Sequence, residues 1–302
     1  MKSNKKTKII VAMSGGVDSS VAAALLKKQG FDVVGIFMKF WKDPSTSSGR
    51  VDENRCCSVE SEKLARLVAK QIGIPFYVLN VEKEFKKKVV DYFLKEYKKG
   101  NTPNPCVVCN KEIKFGFLIN KALSLGADYI ATGHYARIVR EIPNPKSQIL
   151  RYKLMKGRDN AKDQAYFLCQ LSQKQISHIM FPVGEYTKPE VRKLAKKFKL
   201  PTAETPESQE VCFIQNTTNE FLKKYLKTKP GKIIDKTGLP AQAGKIIGEH
   251  QGLWFYTIGQ RKGLEINQGP WFVVEKDFKK NILVVSKNVK DLEKKELIAI
   301  NV

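Results

Sequence analysis

The sequence has no apolar run of the ~18 residues that a membrane-spanning helix needs, so it offers no candidate for such a helix. Its opening residues 1–16 are charged and then briefly apolar before a pair of glycines, which indicates a first strand and not a signal peptide. The six cysteines among 302 residues are too few for a secreted disulfide scaffold. We therefore expect a cytoplasmic protein whose cysteines serve catalysis or metal binding.

Acidic residues are scarce, because 30 Asp and Glu face 54 Lys and Arg and leave a net charge of +24. This balance fits either a solvated lysine-rich surface or a polyanionic partner such as nucleic acid. The lysines gather around two predicted helices, at Lys83, Lys86, Lys87, Lys88, Lys95, Lys98 and Lys99 and at Lys193, Lys196, Lys197 and Lys199. Charge alone supports a class of partner and not a function.

Strands and helices are predicted to alternate through the first half of the chain. Runs of apolar residues mark the strands, and amphipathic stretches mark the helices between them. The predicted strands are 8–13, 31–40, 75–81 and 128–136, and the predicted helices are 17–29, 58–73 and a basic stretch that ends near Lys99. The alternation predicts an α/β fold with a doubly wound parallel sheet.

After about residue 200 the pattern changes to short β-like runs that are separated by turns. These runs are GKIID, GKIIGEHQG, LWFYTIGQ, PWFVVEKD and NILVVSK. They predict a small antiparallel β domain of barrel-like character. Residues 200–220 carry two prolines and are interpreted as a hinge. We therefore expect a first domain over 1–205, and a hinge with the small β domain over 206–302.

The turn after the first predicted strand, SGGVDSS at 14–20, is a candidate phosphate loop. Glycines let the backbone approach a ligand, and amides at a helix N-terminus attract phosphate. The stretch is neither a Walker loop nor a G-x-G-x-x-G fingerprint, and a plain structural turn is the alternative. It resembles the PP-loop of ATP pyrophosphatases, which implies ATP as substrate and an adenylation step. The carboxylate of Asp18 is a suitable ligand for Mg²⁺. The acceptor stays open, because amidating ligases and sulfurtransferases share the loop.

Further stretches resemble a single family along most of the chain. They are NPCVVCNKEIKFG (104–116), ATGHYAR (131–137), KDQAYFLCQL (162–171), SQEVCFI (208–214) and LWFYTIGQRKGL (253–264). Their order and spacing are similar to those of the tRNA-specific 2-thiouridylases. The resemblance implies ATP-dependent replacement of the C2 oxygen of the wobble uridine of tRNA by persulfide sulfur. It also implies a sulfur donor, either a cysteine desulfurase or a relay protein. An amidating PP-loop ligase and a basic RNA-binding module with a degenerate nucleotide fold are the rival hypotheses.

Two cysteines in different motifs are candidates for the sulfur chemistry. The resemblance implies that Cys212 carries the persulfide and that Cys109 is the nucleophile that frees the product, which leaves a Cys109–Cys212 disulfide. A thiolate suits both roles, because deprotonated sulfur is nucleophilic. From the residues alone, Cys212 is also compatible with a small buried apolar residue beside Val211 and Phe213.

The resemblance implies two sets of binding residues. The ATP set is Ala12, Met13, Ser14, Gly15, Gly16, Val17, Asp18, Ser19, Met38 and Gly133. The tRNA set, which includes the border of a flipped target base, is Asn104, Pro105, Cys106, His134, Lys162, Asp163 and Gln164. From the residues alone, Met38 is a core residue, His134 is an ordinary loop residue and 162–164 is an ordinary helical turn.

The chain departs from the family pattern in two respects. Many members have Asp where this chain has Cys106, so acid-assisted proton transfer at the base is in doubt. Cys106, Cys109 and Cys212 are candidate ligands for three irons of a [4Fe–4S] cluster, so cluster-dependent transfer stays open beside the persulfide mechanism. A structural zinc site completed by Cys56 and Cys57 is a further alternative, although we interpret that pair as non-essential loop residues. Members also usually continue into another β-barrel, whereas this chain ends at Val302. A truncated form and a basic surface that replaces the missing contacts are both open.

Overall fold

The computed structural model describes residues 6–43, 58–141, 150–206, 211–214, 217–236, 244–267, 269–294 and 296. These residues form two compact units. The first unit draws on 1–91 and 104–215, and the second draws on 92–103 and 216–302. A short stretch from the middle of the first unit's sequence thus belongs to the second unit. The predicted domain boundary between residues 205 and 206 stays a prediction.

The strands and helices alternate in the first half of the chain, as predicted. The strands are β1 Lys8–Ala12, β2 Asp32–Lys39, β3 Phe76–Asn80, β4 Tyr129–Ala131, β5 Ala136–Glu141, β6 Arg151–Lys156, β7 Ile179–Met180, β8 Gly231–Asp235, β9 Ile246–His250, β10 Phe272–Asp277 and β11 Ile282–Ser286. The α-helices are α1 Val17–Lys28, α2 Val59–Gln71, α3 Glu82–Phe85, α4 Asp91–Lys98, α5 Pro105–Cys109, α6 Leu118–Ser124, α7 Gln173–Ile176, α8 Lys188–Lys197 and α9 Thr218–Tyr225. Within the described part of the chain, none of these helices is long and apolar enough to cross a membrane.

The first unit is built on a five-stranded parallel sheet in the order β3-β2-β1-β4-β7. Its central strand is a short apolar run, in which Ile9 and Val11 are fully buried. Side chains from α1, α2 and α8 share one hydrophobic core with the sheet. The predicted parallel α/β fold is confirmed. The strands β2 and β4 flank β1 on opposite sides, so the strand order reverses at β1, where open sheets bind ligands beyond their carboxyl ends.

Two features of the first unit were not predicted. The basic stretch after β3 is not one regular helix, because a π-helical turn at Lys86–Val90 separates α3 from α4. A second π-helical turn, Asn110–Phe117, directly follows α5. Such turns are uncommon and are frequent at functional sites. The other feature is the antiparallel pair β5 and β6.

The second unit contains a four-stranded sheet in the order β10-β11-β8-β9. The predicted small β domain is confirmed, although the β11–β8 pair is parallel while the other two pairs are antiparallel. The predicted β-like run LWFYTIGQ is wrong as a strand. It contains a 3-10 turn at Leu253–Phe255, because the Phe255 N–H bonds back to the Gly252 carbonyl at 3.1 Å and the chain turns locally.

Candidate functional site

The candidate phosphate loop connects β1 to α1. Gly15 has a φ of +79°, and a side chain there would overlap the Ser61 carbonyl, so this position needs glycine. Gly16 is the N-cap of α1 and makes no side-chain cap, which leaves the first amides of the helix available to an anion. The hydroxyl of Ser19 accepts the Ser14 N–H at 3.2 Å and donates to the Gly16 carbonyl at 3.1 Å. The Ser19 hydroxyl therefore fixes the conformation of the loop through two bonds within it.

Gly133 brings the end of β4 against the first turn of α1. A Cβ atom on Gly133 would lie 2.5 Å from the Ser19 backbone nitrogen and 2.6 Å from the Asp18 carbonyl carbon. Any side chain would push the two segments apart. The structure therefore brings together two motifs that were predicted to share one ligand, and the assignment of that ligand stays a prediction.

An ion pair joins the phosphate loop to the N-terminus of α8. Lys188 Nζ lies 2.7 Å and 2.8 Å from the two carboxylate oxygens of Asp18, and the Tyr135 hydroxyl donates to Asp18 Oδ1 at 2.7 Å. Lys188 is only 8% exposed. The sequence analysis missed both Lys188 and Tyr135. A cation at the first position of a helix opposes the helix dipole, which makes Lys188 unusual in the sequence but identifies no partner.

This ion pair bears on the predicted Mg²⁺ site. Asp18 accepts hydrogen bonds from Lys188 on both oxygens, and Oδ1 also accepts one from Tyr135. A metal ion at Asp18 would have to displace the ammonium group. The assignment of Mg²⁺ to Asp18 stays a prediction, and in this arrangement Lys188 supplies the positive charge beside the loop.

Residues 162–164 were predicted to contact tRNA, and in this structure the side chains of Asp163 and Gln164 accept hydrogen bonds from backbone N–H groups. The Gln164 side-chain oxygen accepts the Tyr135 N–H at 3.0 Å, and the Gln164 N–H returns to the Tyr135 carbonyl at 2.9 Å. Asp163 accepts the Gly157 N–H at 2.8 Å. Lys162 is half-buried beside them. These bonds connect the KDQ motif through Tyr135 to the phosphate loop, while the predicted tRNA contacts stay a prediction.

His134 lies in an aromatic cluster and bonds to a hydroxyl. Its ring centroid lies 5.8 Å from that of Phe115 and 5.9 Å from that of Phe181. Its Nδ1 lies 2.7 Å from the Thr132 hydroxyl oxygen. Burial lowers the pKa of His134 well below its ordinary value, and the positive charge of Lys114 lowers it further. The imidazole is therefore neutral near pH 7, and any contact with tRNA would be one of a neutral ring.

The first cysteine motif begins with a capped short helix. Asn104 Oδ1 accepts the N–H of Cys106 at 3.1 Å and that of Val107 at 3.4 Å, and Pro105 occupies the first turn of α5, where its missing donor costs nothing. Cys106 is half-buried and Cys109 is 6% exposed. The two cysteines therefore differ in their access to solvent.

The second cysteine motif shares a support with the first. Cys212 is half-buried. Its neighbour Phe213, at 2% exposure, is the buried apolar residue of this segment. The Phe213 ring lies 5.8 Å from that of Phe85, which directly precedes the π-helical turn Lys86–Val90. The helix α5 packs against that same turn. The segments that carry Cys212, the predicted persulfide carrier, and Cys109, the predicted nucleophile, therefore contact neighbouring parts of 82–90. Met38, in contrast, is 7% exposed within β2, which fits a core residue.

A metal site was left open for Cys106, Cys109 and Cys212. Within the described residues, which include all three, no group of three or more His, Cys, Asp and Glu side chains could hold a metal ion. The arrangement therefore does not fit the proposed cluster. Cys56 and Cys57 lie outside the described residues.

Comparison with known proteins defines the class and then the family. The model of the tRNA methyl transferase HUP domain matches residues 7–216, and that of the tRNA methyl transferase PRC-barrel domain matches 219–287. The first unit is thus a HUP-type domain on a parallel sheet. The tRNA-specific 2-thiouridylase MnmA of Shouchella clausii is 48% identical over 288 residues, which cover 94% of this chain and 74% of that protein.

A second relative gives the same result. The tRNA-specific 2-thiouridylase MnmA of Limosilactobacillus reuteri is 48% identical over 293 residues, which cover 94% of this chain and 73% of that protein. Among solved structures, a 4-thiouridine synthetase–RNA complex with bound ATP matches at 18% identity and a TM-score of 0.40, covering 72% of this chain and 49% of that one. On its relatives' sequences, the chain belongs to the tRNA-specific 2-thiouridylase family, as its motifs predicted.

Proposed function

We propose that this protein replaces the C2 oxygen of a tRNA wobble uridine by sulfur in an ATP-dependent reaction. The observation that carries the proposal is the 48% identity to tRNA-specific 2-thiouridylases over 94% of the chain. The packing of Gly133 on the Asp18–Ser19 peptide supports it, because it joins two of the motifs that such a reaction requires.

In the adenylation step, the first amides of α1 and the glycines of the loop receive the phosphates of ATP. The uracil O2 attacks the α-phosphorus, and pyrophosphate leaves. Lys188 is a buried cation at this position, so it would exchange its bonds to Asp18 for bonds to the departing pyrophosphate. The positive charge of Lys188 would then stabilise the negative charge that develops on the leaving pyrophosphate.

In the sulfur step, the terminal sulfur of a Cys212 persulfide attacks the adenylated C2 carbon, and AMP leaves with the former O2. The product is then joined to Cys212 through a sulfur–sulfur bond. The Cys109 thiolate attacks Cys212 Sγ, which breaks that bond and releases 2-thiouridine. The cysteines end as a Cys109–Cys212 disulfide, which a dithiol reductant must reduce with two electrons. A persulfide donor protein then reloads Cys212.

The tRNA carries the target base, and its phosphates are a partner for the positive net charge of the protein. Each phosphate that is neutralised releases counterions, and a net charge of +24 provides many contacts. Asn104, Pro105 and Cys106 would border the flipped base, because C2 is hidden in a stacked anticodon. Lys162 would add a phosphate contact, while Asp163, Gln164 and the neutral His134 would shape the surface around it.

The test is formation of 2-thiouridine from unmodified tRNA, ATP, a dithiol reductant and a persulfide donor, followed by nucleoside mass spectrometry. We expect Cys109→Ser and Cys212→Ser to abolish the product while tRNA-dependent pyrophosphate release persists. Cys169→Ser is the matched control, because Cys169 is exposed and belongs to neither motif. Full thiolation by both variants would contradict sulfur transfer and favour an amidating ligase. A wild-type chain that releases no pyrophosphate with tRNA would favour the RNA-binding module.

A further inference from the structure

Lys276, at the end of β10, is a half-buried cation in the second unit. Its Nζ donates to the Gly100 carbonyl at 2.5 Å and to the Tyr256 carbonyl at 3.0 Å. Among the described residues no carboxylate forms an ion pair with it, and burial lowers its pKa. Its Nζ also lies 5.9 Å from the centroid of the Phe278 ring, so in the described part of the chain two carbonyls and one ring face the ammonium group and no anion does. Partly removing such a charge from water is costly, so a neutral residue would suit stability better. Stability alone therefore does not account for the bond between Lys276 and Gly100.

The residues around Gly100 form a defined turn that Lys276 closes. The Gly100 N–H bonds to the Tyr97 carbonyl at 2.8 Å, and the Asn101 N–H bonds to the Glu96 carbonyl at 3.0 Å. Gly100 has a φ of +89°, and a side chain there would overlap the Phe278 ring. This is a glycine-terminated end of α4, packed directly on the strand region that carries Lys276.

A second contact fixes the same stretch two residues later. The Thr102 and Thr257 hydroxyl oxygens lie 3.1 Å apart. Pro103 then leads into Asn104, which caps α5 and so fixes the amides of Cys106 and Val107. Only four residue steps separate Gly100 from Asn104, which is at most about 14 Å of extended chain. A displacement of Gly100 would therefore reach the start of α5 with little slack to absorb it.

We propose that Lys276 is a positioning residue for sulfur transfer, which sets the helix that carries Cys109 by holding the Gly100 carbonyl. The inference rests on the proposed function, since it assigns Lys276 to the sulfur step and not to adenylation. Lys276 does not touch the substrate in this role. The second unit is thereby linked covalently, through Pro103 and Asn104, to the motif on which product release depends.

The test uses the full chain with Lys276→Met, which keeps the length of the side chain and removes its donors. We expect the kcat for 2-thiouridine formation to fall about tenfold. The KM for tRNA and the rate of pyrophosphate release should each stay within about twofold of wild type. The alkylation rate of Cys109, followed by peptide mass spectrometry, should rise about threefold because α5 opens more often. Lys276→Arg, which restores a charged donor, should recover part of the loss. Lys279→Met removes the same charge from an exposed position and should behave as wild type.

Either of two results overturns the inference: wild-type thiolation with unchanged Cys109 alkylation in Lys276→Met, or equal loss of thiolation and pyrophosphate release. Should Lys276→Met fail to fold, Thr257→Val tests the same stretch, with an expected rise of about twofold in Cys109 alkylation. Wild-type failure to make 2-thiouridine would instead reject the proposed function. Cys109 alkylation would still decide whether Lys276 positions the motif.

Discussion

The phosphate loop and the cysteine motif of 104–109 belong to the same unit, yet different kinds of contact fix them. The loop is held by residues that are distant in sequence, since Tyr135 and Lys188 reach Asp18 from 117 and 170 positions away. The start of α5 is held by Asn104, two and three positions from the amides it caps. Asp18 in the phosphate loop is therefore anchored by contacts that are distant in sequence, whereas the first amides of α5 are fixed by the cap of that helix itself.

The largest loss of activity is expected at Gly133, where the packed backbone of α1 leaves no room for a side chain. Gly133→Ala should lower tRNA-dependent pyrophosphate release about 100-fold, because the new methyl group would displace the Asp18–Ser19 peptide from a phosphate. Gly248→Ala is the matched control, because its nearest neighbours lie 3.8 Å and 3.9 Å away. Equal pyrophosphate release by both variants would show that the loop is not anchored there.

A smaller loss is expected when the ion pair is broken. Lys188→Met should reduce the free energy of unfolding by about 2 kcal/mol, because it strands a half-buried carboxylate, and should slow pyrophosphate release about tenfold. Urea unfolding and a pyrophosphate assay measure the two effects. Lys193→Met, an exposed lysine on the same helix, should change neither. Unaltered stability in Lys188→Met would mean that Asp18 does not depend on this partner.

The pH dependence of stability should report on His134. Burial holds its folded pKa well below 6.5, so the unfolded chain takes up this proton first as pH falls. The contribution of the neutral His134 to the free energy of unfolding is complete above pH 6.5. Below that pH it is lost by up to about 1.4 kcal/mol per pH unit, until the folded pKa is reached. His134→Gln should remove that part of the slope in unfolding curves between pH 7 and about pH 5. His250, whose pKa burial also lowers, contributes equally to both proteins. Identical slopes would mean that His134 is not buried as a neutral ring.

The smallest effect is expected at the cap. Asn104→Ala should destabilise α5 by about 1 kcal/mol and raise the Cys109 alkylation rate about fivefold, with little change in the melting temperature. Thr217→Ala removes the equivalent cap of α9, where Thr217 accepts the Glu220 N–H at 3.2 Å, and should leave Cys109 unaffected. A Cys109 rate that does not respond to Asn104 would mean that tertiary contacts, and not the cap, hold α5.

The parts of the site that follow from local chemistry could be predicted from sequence. The strand, the glycine turn and the helix around Asp18 are adjacent in the chain, and parallel strands place Gly133 at the same edge of the sheet. Lys188 could not be predicted as a partner of Asp18, because no local pattern relates two residues that are 170 positions apart. The supports of Cys212 likewise depend on a ring contact between Phe213 and Phe85 across the fold.

In the second unit, too, long-range contacts could not be predicted from the sequence. Apolar runs predicted its strands, but helical periodicity in 82–98 gave no sign that the helix changes units near Asp91. That change depends on long-range packing, such as the 6.1 Å contact between the rings of Phe93 and Phe221. Local patterns specify elements, whereas long-range contacts assign those elements to units.

The membership of residues 92–103 in the second unit also sets an order of events during synthesis. Lys276 leaves the ribosome 176 residues after Gly100, which at about 5–20 residues per second is a delay of about 9–35 s. Phe93 likewise has no Phe221 until 128 further residues have been made, so an apolar ring of the nascent chain stays without its final neighbour for that shorter time. A chaperone that binds this stretch would shield it, and ribosome-stalled chains ending near residue 215 should be cut by protease within 92–103. The stretch 92–103 is thus completed only after β10 has been made.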